Sequence, residues 1–127
     1  MHYVELFTII ALLQFFIFGI LVGRARVTYG VKAPAITGHE MFERAYRVQM
    51  NTLELLVLLL PATYLAATLW SPAYTAVSVA VYIGGRTIYW RAYMARPSSR
   101  TLGFALSMGP ILVLLVASLL SSVRRML

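Results

Sequence analysis

The 127-residue chain contains no cysteine. Disulfides, thiolate metal sites and a protein thiol nucleophile are therefore excluded, and any thiol chemistry has to arrive with a ligand. Histidine is almost as scarce. His2 and His39 stand far apart and give no metal-ligand spacing, so no metal is expected. Charge is also sparse: 12% of residues are charged, about half the share found in ordinary soluble domains. Acids are scarcest, four against eleven Lys and Arg, for a net charge of +7.

Apolar residues fill the gap. They make up 61% of the chain, and the mean hydropathy is +0.80. This composition belongs to the membrane class and not to small globular enzymes. The length allows one domain, residues 1–127. The basic residues lie between apolar runs and do not line one soluble face, so membrane topology explains the charge and no nucleic-acid partner is expected. The opening "MHYVE" lacks a positive n-region and a small-residue cleavage site, so the first apolar run is expected to be a retained span.

A spanning helix needs about 20 mostly apolar residues. Four such runs occur, at about residues 3–22, 51–70, 72–91 and 101–123. With their flanks they predict helices over roughly 3–28, 38–70, 71–96 and 99–124. The expected fold is all-α, an integral membrane four-helix bundle. Ser71 and Pro72 form an N-cap followed by a first-turn proline. Thr37 and Glu40 have the T-x-x-E spacing of a capping box, which would start the second helix near Gly38. Ser98 or Ser99 would cap the fourth helix. Pro61 and Pro110 fall inside spans, and Trp70 and Trp90 read as interface anchors.

The first connection is long and polar, "GRARVTYGVKAPAITGHEMFER", with breaks at Gly30, Pro34 and Gly38. The second, at Ser71-Pro72, is minimal. The third is "ARPSSR". Nine of the eleven basic residues (Arg24, Arg26, Lys32, Arg44, Arg47, Arg86, Arg91, Arg96 and Arg100) flank the first and third connections. By the positive-inside rule these connections are cytoplasmic, and both termini lie on the opposite side.

Polar residues also enter the spans. At 100° per residue, Glu43, Arg44, Arg47, Asn51 and Glu54 share one stripe of the second helix, whereas Gln49 lies off it. Arg86, Tyr89, Tyr93 and Arg96 share a face of the third. Charged groups in lipid turn toward a bundle interior or a wet cavity. One reading is interhelical glue, with Glu54 paired to an arginine and Asn51 bonded to a backbone carbonyl. The other is a ligand site. Four acids cannot neutralise so many arginines, and spare guanidinium groups beside one carboxylate suit a small zwitterion with more than one carboxylate. Glu43 with Arg44 reads as a local pair, and His39 as a solvated loop residue. Tyr89 reads equally well as part of an interfacial aromatic belt.

The segment "KAPAITGHEMFERAYRVQMNTLE" closely resembles the signature of the membrane-associated proteins in eicosanoid and glutathione metabolism, the MAPEG family. The later "RTIYWRAYMARPSSR" fits that family's R-x-x-Y-x-x-x-Y…R pattern. The likeness covers essentially the whole chain and is nearest to bacterial-type microsomal glutathione transferases. It implies a homotrimer, with glutathione bound between subunits at the cytoplasmic end. The glutathione ligands it implies are Arg26, Arg47, Gln49, Asn51, Glu54, Tyr89 and Tyr93, and Arg100 matches the arginine that stabilises the thiolate. The co-substrate would be a lipophilic electrophile or a lipid hydroperoxide reaching the site from membrane lipid. Val27 and Leu55 depart from the pattern of leukotriene-C synthases, which favours a general transferase. The alternatives are a non-catalytic lipid- or glutathione-binding scaffold of the same fold, and a small transporter. A transporter would need polar residues through to the outer side, but beyond Glu54 the second helix has only Thr63, Tyr64 and Thr68.

Overall fold

The computed structural model describes residues 1–127 as four long helices. They are α1 (His2–Tyr29), α2 (Glu40–Leu69), α3 (Pro72–Ala95) and α4 (Thr101–Met126), with a 3-10 turn at Pro97–Ser99 before α4. They contain 28, 30, 24 and 26 residues. At about 1.5 Å per residue each exceeds the roughly 30 Å hydrocarbon core of a bilayer. Three of them, α1, α2 and α4, are also apolar enough to cross a membrane. Both α2 and α4 run through their internal prolines, Pro61 and Pro110.

The helix ends follow local chemistry, in two places differently from the expectation. Gly30 closes α1 with φ 68°, and the Val31 amide returns to the Arg26 carbonyl at 3.1 Å. Only glycine adopts that conformation without cost. The Thr37–Glu40 capping box does not form. Gly38 has φ 141°, outside the helical region, so the helix cannot begin there. His39 becomes the N-cap instead, its Nδ1 accepting from the Met41 amide at 3.1 Å while its ring stacks on Tyr29. It is a cap and not a merely solvated loop residue. Ser71 does cap α3, accepting from the Tyr74 amide at 3.3 Å. Ser99 does not cap α4. Its hydroxyl turns back to the Ala92 and Arg96 carbonyls, at 3.1 and 2.7 Å, and closes α3.

The packing is that of a membrane bundle. A central core gathers Ala11, Leu55, Leu59, Ala62, Val79, Tyr82, Ile111 and Leu114. A second cluster of Val22, Val31, Phe42 and Ala45 fixes the first connection against α1 and α2. Large apolar side chains such as Phe16, Ile17 and Ile20 on α1, and Leu112, Val116 and Leu119 on α4, are exposed. So many exposed apolar faces suit lipid and other membrane helices, not water. The most extensive pairing is α3 with α4. Two glycines make it close. A β-carbon on Gly85 would lie 2.7 Å from the Leu106 carbonyl carbon, and one on Gly103 would lie 2.4 Å from the Tyr89 amide nitrogen. Small residues allow such backbone approach in membranes, where packing and hydrogen bonds hold helices together.

Candidate functional site

The polar residues of α2 and α3 meet near the end of the bundle that carries the first and third connections. On α2, Arg47, Asn51 and Glu54 stand at i, i+4 and i+7, so they share one stripe over two turns. The long side chains of Arg47 and Glu54 lean toward each other and pair, Nη1 to Oε1, at 3.1 Å. Both are about half exposed, 49% and 53%. Asn51 lies between them on the stripe, and little of it, 7%, is exposed.

Asn51 is not bonded to a backbone carbonyl. Its Oδ1 accepts from Arg86 Nη1 of α3 at 2.8 Å. Arg86 is fully buried, the largest side chain in the molecule to be so. It also donates to Thr52 Oγ1 at 3.2 Å and, through Nε, to Ser107 Oγ of α4 at 2.9 Å. Its guanidinium carbon sits 4.1 Å from the centre of the Tyr89 ring. Tyr89 stacks in turn on Tyr93, with ring centres 5.5 Å apart. Tyr89 is buried and does not belong to an aromatic belt. Arg86 was visible in the sequence as a member of the α3 polar face, but its role was not. The signal was an arginine deep in an apolar helix, preceded by a glycine that lets α4 approach.

Beside this cluster a cleft of about 440 Å³ is lined by Ile36, Glu40, Glu43, Arg44, Tyr46, Arg47, Tyr93 and Pro97. Arg44 pairs with Glu40, one turn before it, and not with Glu43. It also donates to the carbonyls of Met94 and Ala95, at 2.9 and 3.3 Å, tying α2 to the end of α3. A larger groove of about 780 Å³ lies at the other end of the bundle, against Trp70, Leu112, Val116 and Arg124. It is mainly apolar and is far along α4 from the polar cluster.

The remaining sequence-predicted residues are Arg26, Gln49 and Arg100, and of these Arg100 lies near Tyr89. Arg26 donates to the Ala35 carbonyl at 2.6 Å and covers the Phe42 ring at 4.6 Å. Gln49 lies against Gly19 of α1. Arg100 is exposed at the start of α4. One protomer thus sets Asn51 and Tyr89 against Arg86, with Tyr93 stacked on Tyr89 and the Arg47–Glu54 pair on the Asn51 stripe, while Arg26 and Gln49 sit on the side of α2 that meets α1.

Comparison with known proteins agrees with this architecture. An uncharacterized protein of Synechocystis sp. is 43% identical over 116 residues, covering 91% of this chain and 85% of that protein. Microsomal glutathione S-transferase 2 of Homo sapiens is 37% identical over 98 residues, 77% of this chain and 66% of that protein. Its Mus musculus counterpart is 33% identical over 106 residues, 84% of this chain and 72% of that protein. The model of the MAPEG family matches residues 4–120, nearly the whole bundle, so this integral membrane protein belongs to the MAPEG family.

Proposed function

We propose that the protein is a membrane glutathione transferase that presents glutathione as its thiolate to lipophilic electrophiles. The observation that carries this reading is the charged stripe on α2 beside the Tyr89–Tyr93 stack, in a chain related to proteins named glutathione S-transferase. Glutathione has two carboxylates, an ammonium and a thiol. Arg47 suits a carboxylate, and Glu54 suits the ammonium. Their mutual ion pair is half exposed, and pairs of that kind contribute only about 0–1 kcal/mol, so a zwitterion can displace it at little cost. Tyr89 and Tyr93 supply a ring wall and hydroxyl groups.

Arg26 and Gln49 complete the site from a neighbouring subunit, and Arg100 stands at the start of α4 within reach of Tyr89. The separation of Arg26 and Gln49 from the Arg47–Glu54 pair within one chain supports a homotrimer with glutathione between subunits. The first and third connections face the cytoplasm in this reading, so glutathione enters there and the electrophile arrives through the bilayer. Arg100 is the catalytic residue. A free thiol has a pKa of about 8.5, and a neighbouring guanidinium lowers it. The thiolate then forms a carbon–sulfur bond as the electrophile's leaving group departs with the bonding pair, or it attacks the outer oxygen of a lipid hydroperoxide. That attack breaks the O–O bond, releases the lipid alcohol after protonation and leaves a glutathione sulfenic acid, which a second glutathione converts to the disulfide and water. The protein contributes positioning and charge stabilisation.

The test is ultraviolet difference absorbance near the thiolate band, as purified protein in detergent is titrated with glutathione at neutral pH. A saturable signal that shrinks in Arg100→Ala is expected. Glutathione binding without a thiolate signal would overturn the catalytic reading and leave a glutathione-binding scaffold.

A further inference from the structure

Arg86 carries a full charge in the middle of the bundle, and no carboxylate answers it. It lies about nine residues, roughly 14 Å of helix, inside the end of α3. A buried guanidinium without a carboxylate is costly and persists where it has a task or an excellent hydrogen-bond shell. The shell here is neutral: Asn51, Thr52, Ser107 and the face of Tyr89. Its Nη2 has no partner at all.

The chemistry of the Arg86–Asn51 contact has one polarity. A guanidinium has five donors and no acceptor. Asn51 must therefore turn its carbonyl oxygen inward to Arg86, as the 2.8 Å contact shows. The amide nitrogen then points away from Arg86. It makes no hydrogen bond within the protomer and is not among the enclosed, unpartnered polar atoms, so it is reachable from the surface. Asn51 itself shares the α2 stripe of the Arg47–Glu54 pair.

We propose that Arg86 is a positioning residue that fixes the hydrogen-bond polarity of Asn51, so that Asn51 reads only an acceptor on the ligand. The target is a carboxylate or peptide carbonyl oxygen of the bound tripeptide, never its ammonium or an amide N–H. This rests on the glutathione reading above. It assigns recognition of the ligand's positive group to Glu54 alone and makes Asn51 a partner of Arg47 in holding oxygen.

The sharpest test is Asn51→Asp, with glutathione affinity measured by titration and unfolding followed in the same detergent. The new carboxylate faces Arg86 and gives it the counter-charge it lacks, so the variant folds at least as stably as wild type. Its outward atom is now an acceptor. The lost donor and the added repulsion weaken glutathione binding by tenfold or more, since about 1.4 kcal/mol is a factor of ten. Unchanged or tighter binding would overturn the proposal, because an acceptor would then serve as well as the amide.

Arg86 itself is tested by two substitutions. Arg86→Gln can donate or accept, which lets Asn51 turn over. The proposal expects a higher KM for glutathione, by roughly five- to tenfold for one lost hydrogen bond, with kcat at saturation retained. Arg86→Lys, again purely a donor, restores most of that loss. Equal KM values in all three proteins would refute the positioning role. Failure of wild type to bind glutathione would instead refute the functional reading, and is distinguished by that control alone.

Discussion

Replacing Gly103 with alanine is the most direct probe of how the bundle holds its site. The new methyl would lie 2.4 Å from the Tyr89 amide nitrogen and 2.5 Å from its Cα. Ordinary contact begins at 3.4 Å, so the shortfall is about an ångström. The obstructing atoms are backbone, and no rotamer change relieves them. The helices α3 and α4 have to part. Overpacking of this kind costs about 1–3 kcal/mol. The gain in helix propensity from glycine to alanine returns at most about 1 kcal/mol. A net loss of up to about 2 kcal/mol follows. The same separation strains the Arg86–Ser107 hydrogen bond, now 2.9 Å, and shifts Tyr89, so glutathione affinity falls with stability. The assay is loss of helical circular dichroism as sodium dodecyl sulfate is titrated into mixed micelles. Gly109→Ala serves as control. A methyl there meets nothing within 4 Å, so that variant should unfold no earlier than wild type. Gly103→Ala unfolding at or above the wild-type midpoint would refute the close-approach argument.

Glu54→Gln removes the charge offered to the ligand's ammonium while breaking only a half-exposed pair. Glutathione affinity should fall by about tenfold, as expected for one charge-assisted hydrogen bond, with the unfolding midpoint nearly unmoved. A matched loss of both would make the pair structural. Sidedness can be mapped cleanly because the chain has no cysteine of its own. A membrane-impermeant thiol reagent applied to intact cells should label Ser122→Cys and spare Ser98→Cys, and the reverse pattern would invert the topology.

The helices were legible because each is written as one apolar run of spanning length, and the start of α3 because Ser71-Pro72 is a local signal that nothing distant disturbs. The polar stripe of α2 was legible from its angular period alone. What escaped the sequence depended on neighbours. Ser99 turns to α3 because the Ala92 and Arg96 carbonyls at its end, each with a second lone pair to offer, lie within reach, although the α4 end is as close in sequence. Arg44 bonds Glu40 and not the adjacent Glu43, since neighbours one apart on a helix diverge while those four apart align. Asn51 read either as a ligand contact or as glue bonded to a backbone carbonyl, and its partner within the protomer is Arg86 of α3, enclosed where two glycines draw α3 and α4 together. No single-helix pattern encodes such an encounter.

That enclosed charge bears on how the protein is made. As a chain leaves an insertion machinery, each segment partitions by its own affinity for lipid, and an arginine at mid-depth opposes entry by about 2.5–3.5 kcal/mol. The helix carrying Arg86 is the one of the four that does not qualify as a span by its own hydropathy. It has to be escorted. The shell for its guanidinium comes partly from α2, which precedes it out of the machinery, and partly from Ser107, which follows it. Only a short turn separates α3 from α4. The consequence expected is that the last two helices enter lipid as one hairpin, with assembly of the polar centre committing the third segment to the membrane.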